Sequence, residues 1–274
     1  MILFISNFLT QHGYNPTFLE IVSNDLSNKF SVLNISNKKN KLIRLFDMLF
    51  QFHINKKSIK LVIIDTYSTD AYYFSLMLSF MCYFYNKPYI LVLSGGDLGL
   101  RLNKSHTFKF IINYARKIVT PSKYLFEIFE KYDSNIIYLP NYLNLDLYEF
   151  KDRKLISPKI LWVRSIHKIY NPLMAVFVLK KIKKFYPKVT LCMVGPIKDN
   201  SINEINALVK RDSLEKNIFF TKKLEKNEWI ELSKEFDIFI NTTNYDNHPV
   251  SILEAMALGM PIVSTNAGGI PKLL

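Results

Sequence analysis

The stretch 236–274 constrains the fold of this chain more than any other. It opens on an apolar run at 237–241 that enters a polar loop, the pattern of a buried parallel strand. The loop 242–248 leads to Pro249, a residue favoured in the first turn of a helix, and 251–258 continues that helix. Gly259 stands where the helix would be capped, and 261–265 is the next strand. Strand, loop, helix and strand in this order read as one βαβ unit of a parallel sheet.

Two carboxylates sit in this unit, eight positions apart: Asp246 in the loop and Glu254 in the second turn of the helix. A ligand at the helix mouth can touch both. The unpaired backbone N–H groups near Val250 and Ser251 would face an anion there. A sugar nucleotide suits such a site, with its diphosphate on the helix end and its hydroxyls on the carboxylates.

The remaining chain repeats the alternation. Strands are expected at 2–6, 31–35, 61–65, 89–93, 117–119 and 136–139, with helices near 18–26, 39–52, 71–85, 107–115 and 122–131. The run 151–158, half of it charged, reads as a linker. A second series follows, with a strand from 159, a helix at 173–185 that Asn171-Pro172 would start, and a strand at 189–194. Beyond it lie a helix over 201–211, a strand at 218–220 and a short helix at 226–234. The expectation is an α/β protein with two domains, 1–153 and 154–274, each a parallel sheet covered by helices. Ligands of such sheets bind at the carboxyl ends of strands, which brings forward His12-Gly13, Gly95-Gly96-Asp97 and Pro121-Ser122. The loop 6–15 has one glycine where a dinucleotide site would need G-x-G-x-x-G, so an NAD-dependent dehydrogenase is not expected.

Net charge is +13, from 36 basic and 23 acidic residues. Residues 1–153 hold 18 basic against 12 acidic residues, and 154–274 hold 18 against 11. So even a spread outlines no nucleic-acid face; it favours anionic ligands or an anionic membrane surface, or reflects compositional bias alone. Cys82 and Cys192 lie among apolar neighbours, without disulfide or metal-ligand spacing, and the default compartment is a reducing cytoplasm. Residues 1–5 lack a preceding basic segment and read as a strand rather than a signal peptide. The uncharged aromatic run 71–85 falls short of the ~20 residues of a spanning helix and reads as a buried helix, with membrane-surface contact the lesser reading.

The motif D-N-H-P-V-S-I-L-E-A-M-A-L-G-M-P-I-V followed by G-G-I-P-K resembles the signature of retaining glycosyltransferases of family 4, which have the GT-B fold. Their pattern is E-G-F-P-x-x-x-L-E-A-M-A-x-G-x-P-V-V, then G-G-x-x-E. The resemblance implies two Rossmann-like domains facing a cleft, an acceptor side in the first and a nucleotide-sugar donor site in the second. It implies that Glu254 holds the donor ribose and Asp246 the donor sugar, with His248 in the same loop. Gly268 and Gly269 would allow close backbone approach, Gly13 would face the donor diphosphate, and Gly195 would lie near the nucleotide base. Leu139-Pro140-Asn141 with Tyr148-Glu149-Phe150 resembles the segment that closes the family's first domain.

Arg164 stands at the end of the strand resembling the family's donor-domain opening strand, where a guanidinium can stabilise the departing diphosphate. In H-K-I-Y-N-P either Lys168 supplies the family's phosphate lysine or Tyr170 replaces it; Lys168 is the choice made here. Asp246 is one methylene shorter than the family's glutamate, and Lys272 replaces an acid. The family continues past the Gly-Gly loop, so the second domain is expected to be incomplete.

The activity implied is metal-independent retaining transfer from a nucleotide sugar to a saccharide or lipid-linked acceptor, in polysaccharide synthesis. It would need no cofactor, in the cytoplasm or at the inner membrane face. A sugar-nucleotide epimerase, a glycosidase using the carboxylate pair, and an inactive nucleotide-binding fragment stay open as alternatives.

Overall fold

The computed structural model describes residues 1–14 and 16–274; Asn15, in the loop expected after the first strand, lies outside them. The chain forms two compact units, Met1–Asn141 and Tyr142–Leu274.

The first unit runs β1 (Ile2–Ile5), α1 (Phe18–Ser27), β2 (Val32–Ile35), α2 (Lys41–Asn55), β3 (Leu61–Thr66), α3 (Tyr72–Phe84), β4 (Tyr89–Leu93), α4 (Leu98–Lys104), α5 (His106–Asn113), β5 (Lys117–Thr120), α6 (Lys123–Glu130) and β6 (Ile136–Tyr138). All six strands pair in parallel, in the order β2-β1-β3-β4-β5-β6. Helix starts follow side-chain chemistry: Thr17, Asn40, Ser105 and Ser122 each accept a first-turn N–H. Helix α4 escapes the sequence reading because Gly95-Gly96 precedes it and Gly99 lies inside it. The 71–85 run forms α3, but its burial is one-sided. Tyr72, Phe74, Leu78 and Cys82 face the core, while Tyr73, Met77, Tyr83 and Phe84 are exposed. No helix among the described residues is long and apolar enough to cross a membrane.

The second unit runs β7 (Lys159–Val163), α7 (Pro172–Lys183), β8 (Thr190–Val194), α8 (Ser201–Arg211), β9 (Ile218–Lys222), α9 (Lys226–Ser233), β10 (Ile238–Asn241), α10 (Val250–Ala257) and β11 (Ile262–Ser264). Its five strands are parallel in the order β11-β10-β7-β8-β9. Apolar runs such as Leu191-Cys192-Met193-Val194 are buried throughout, as a sheet covered on both faces requires. Asn171, at φ 47°, caps α7 just ahead of Pro172. Gly259, at φ +66°, ends α10 in the left-handed conformation that a helix stop favours.

The charged run 151–158 is not a free linker. The Arg153 side chain is covered and donates to the carbonyls of Leu258 and Phe236, and Lys151 Nζ donates to Lys234 O at 3.0 Å. These carbonyls close α10 and follow α9, where helix ends leave acceptors unpaired, so the charges bind the strap to the second unit. The division between units falls earlier, after the Leu139-Pro140-Asn141 segment.

Candidate active site

In the second sheet the strand order reverses between β10 and β7. Connections leaving the carboxyl ends of two such strands turn to opposite faces, and ligands of open α/β sheets bind at that switch point. Here the two loops are stitched together. Thr242 Oγ1 accepts from Trp162 Nε1 (2.9 Å) and donates to Tyr170 O (2.9 Å). Thr243 Oγ1 donates to Ile169 O, and Asn171 Nδ2 donates to Asn244 Oδ1 at 3.1 Å.

Two charges meet on this frame. Arg164, immediately after β7, donates from Nη2 to Asp246 Oδ2 at 2.6 Å, with the side chains 17% and 19% exposed. The Tyr170 ring lies 5.1 Å from the guanidinium carbon. Arg164 Nε is buried with no hydrogen-bond partner among the described residues. Asp246 is held from its other sides too: Oδ1 accepts from the His248 N–H (3.2 Å) and its carbonyl from the Gly269 N–H (2.8 Å). Gly268 sits at φ +59°, where a Cβ would lie 2.2 Å from the Asp246 carbonyl oxygen. The backbone that these glycines approach is therefore that of Asp246. Gly195 plays a similar part after β8, since a Cβ there would lie 1.8 Å from Arg164 O.

Pro249 precedes α10 and offers no side-chain cap, so the first-turn N–H groups of Val250 and Ser251 carry the positive end of the helix uncapped. Ser251 Oγ is buried without a partner among the described residues. His248 is buried, which pushes its pKa below the ordinary 6.5, with Asp246 acting partly against that shift. Its imidazole is neutral at pH 7.

The second carboxylate belongs to a different pair. Glu254 is buried in α10, and its Oε1 accepts from Tyr148 OH (2.9 Å) and pairs with Lys226 Nζ (3.0 Å). Burial and the Glu254 charge raise the Tyr148 pKa far above that of a free phenol, so it remains a donor. Sequence reading assigned neither Tyr148 nor Lys226 to the site. Tyr148 stands 106 residues from Glu254, and the only hint was the motif segment that contains it.

Lys168 lies in the turn Lys168–Tyr170 and is exposed. Its backbone makes the contacts, N–H to Asp199 Oδ2 (2.7 Å) and carbonyl to Asn244 Nδ2 (3.0 Å); among the described residues its ammonium has no ion pair. Tyr170, not Lys168, touches Arg164. Gly13, at φ +77°, ends the turn Thr10–His12 of the first unit with open space around it. Among the described residues, no group of three or more His, Cys, Asp or Glu is placed to hold a metal ion.

Residues 149–274 match the family model described as glycosyl transferases group 1. Over that stretch the second unit is similar to the group 1 glycosyl transferases. The matched stretch includes every residue of the Arg164–Asp246 cluster and Glu254, while Tyr148 lies one position ahead of it and Gly13 lies in the first unit. A comparison with curated proteins gives no match. Among solved structures, HepE from Anabaena in complex with UDP and glucose is 15% identical at a TM-score of 0.72, over 100% of this chain and 82% of its own. Sucrose-phosphate synthase from Thermosynechococcus elongatus is 13% identical at 0.75, over 98% and 82%. The lipopolysaccharide outer core galactosyltransferase WaaB is 14% identical at 0.64, over 99% and 82%. At these identities the likeness establishes the fold: the chain is an α/β protein with the GT-B architecture.

Proposed function

We propose that the protein transfers a sugar, with retention of configuration, from a nucleotide-sugar donor to a saccharide or lipid-linked acceptor in cell-surface polysaccharide synthesis. One observation carries this reading: a half-buried Arg164–Asp246 pair beside the uncapped start of α10, at the switch point of the second sheet, within the stretch similar to the group 1 glycosyl transferases. The bond between the anomeric carbon and the diphosphate breaks, the electron pair leaves with the diphosphate, and the acceptor oxygen takes its place as it loses its proton.

The N–H groups of Val250 and Ser251 and the guanidinium of Arg164 supply positive potential for that diphosphate, with the exposed Lys168 a fourth contributor. Asp246 keeps Arg164 oriented and meets the donor-sugar hydroxyls, with the neutral His248 beside it. Glu254, held by Tyr148 and Lys226, takes the ribose. Gly195 keeps the base-side loop close, and Gly268 and Gly269 seat Asp246. The activity requires no metal or cofactor, and the enzyme works in the cytoplasm or as a peripheral protein on the anionic inner face of a membrane. The UDP and glucose of HepE and the galactosyl transfer in the name of WaaB fit this reading.

The test is turnover across UDP-, GDP- and ADP-sugars beside a Glu254→Ala control. Turnover of one donor, lost in the control, supports the proposal. A folded protein that binds none of them overturns it in favour of a catalytically inactive GT-B protein.

A further inference from the structure

Helix α2 of the first unit is apolar on the side where a soluble protein should be polar. Arg44, Met48 and Phe52 are its buried side. Leu42, Ile43, Phe46, Phe50 and Ile54 face solvent, each 55% to 69% exposed. At ~100° per residue these five occupy one arc of about 120°, opposite the buried one, with the exposed His53 the one polar side chain within it. Scattered apolar residues on a surface are ordinary, but a contiguous stripe of this size marks a contact surface.

Charge says what the stripe contacts. Residues 38–60 contain six lysines, three before or at the helix start (Lys38, Lys39, Lys41) and three past its end (Lys56, Lys57, Lys60). The single acid, Asp47, is turned to Ser36 Oγ and lies outside the stripe. The helix start is held rigidly: Arg44 donates to the carbonyls of Lys38 (2.6 Å) and Lys39 (2.9 Å) and to Asn7 Oδ1 (2.5 Å). At the far end Tyr85 lies beside His53, with Lys56 4.7 Å from its ring centroid, an aromatic with a polar tip at the edge of the stripe.

We infer that the exposed face of α2 is a docking surface for an anionic lipid bilayer, the helix lying in the plane of the headgroups with Phe46 and Phe50 inserted. Fifteen residues give a length of about 22 Å, suited to lying along a surface rather than spanning a membrane. Lys38 and Lys39 at one end and Lys56, Lys57 and Lys60 at the other then meet lipid phosphates, while Lys41 pairs with Asp70 at 2.7 Å. A second copy of the chain fits less well, because antiparallel pairing of two such stripes sets the lysines of each end against those of the other. The inference deepens the membrane contact proposed above, yet stands on first-unit residues alone.

The experiment is flotation of the full chain with vesicles of phosphatidylcholine alone and of phosphatidylcholine with an equal share of phosphatidylglycerol. Donor turnover is measured separately without vesicles. Binding is expected to the anionic vesicles only. It should fall at least about tenfold in Phe46→Ser/Phe50→Ser. In Lys38→Gln/Lys57→Gln it should fall about fivefold per lysine removed. Both variants alter exposed side chains and should keep the thermal midpoint and donor turnover. Equal binding to both vesicle types, or no binding to either, overturns the inference. A dimer in light scattering that Phe46→Ser/Phe50→Ser dissolves, without vesicle binding, overturns it in favour of self-association. Vesicle binding without donor turnover leaves this surface standing and removes the transferase reading.

Discussion

Arg164 and Asp246, 82 residues apart in the chain, form one ion pair at 2.6 Å across the strand-order reversal of the second sheet. Asp246→Asn keeps the size and removes the charge that orients the guanidinium; Arg164→Lys keeps the charge and removes the planar fork. Each should lower donor turnover by roughly 10²-fold while the far-ultraviolet dichroism stays unchanged. Steady-state kinetics on the active donor checks this. Wild-type turnover in both variants would remove the pair from the mechanism.

The Tyr148–Glu254 bond ties the segment that follows the first unit to α10. Tyr148→Phe deletes one hydrogen bond and leaves Lys226 as the ionic partner. Urea unfolding should show a loss of about 1 kcal/mol. Nucleotide affinity, read by calorimetry, should weaken less in this variant than in Glu254→Ala, which loses the carboxylate itself.

Two glycines with similar φ separate conformational strain from collision. Gly13→Ala, with open space around it, should cost about 1 kcal/mol for the left-handed backbone alone. Gly268→Ala adds a Cβ into the Asp246 carbonyl and should exceed that by about 2 kcal/mol or more. It should lower donor turnover as well, because Asp246 must shift. Equal thermal midpoints for the two variants would contradict the close approach.

His248 gives a pH dependence of known sign. Its folded-state pKa lies below 6.5, so the unfolded chain binds the proton more readily. The stability that it contributes is fully present above pH 6.5 and is lost as pH falls from there through the folded-state pKa. Denaturant unfolding at pH 7.5 and 5.5 should show a smaller difference for His248→Gln than for the wild type. An unchanged difference would mean that the ring is solvated.

Arg153→Ala should destabilise the second unit by about 2–4 kcal/mol, since it leaves the buried Phe236 carbonyl without its donor, removes one of two donors to Leu258 O and takes away an ionic partner of Asp237. Limited proteolysis should then cut within 151–158, a run that the bound arginine protects.

By itself, the sequence determined the parallel α/β elements and the motif at the mouth of α10. Apolar strand runs, Pro249, Gly259 and the cap at Asn171 are local signals, legible because turn and helix-end chemistry acts within a few residues. Asp246, Glu254 and Arg164 were each singled out as site residues for the same reason. Only the tertiary structure decided their partners. That Arg164 takes Asp246, that Glu254 takes Tyr148 and Lys226, and that Gly268 seats Asp246 all depend on strand order, which places distant segments side by side. The charged run 151–158 reads as a linker locally, yet is fixed by helix-end carbonyls far along the chain. The exposed side of α2 was hidden for the same reason: periodicity marks an apolar stripe but not whether the fold covers it.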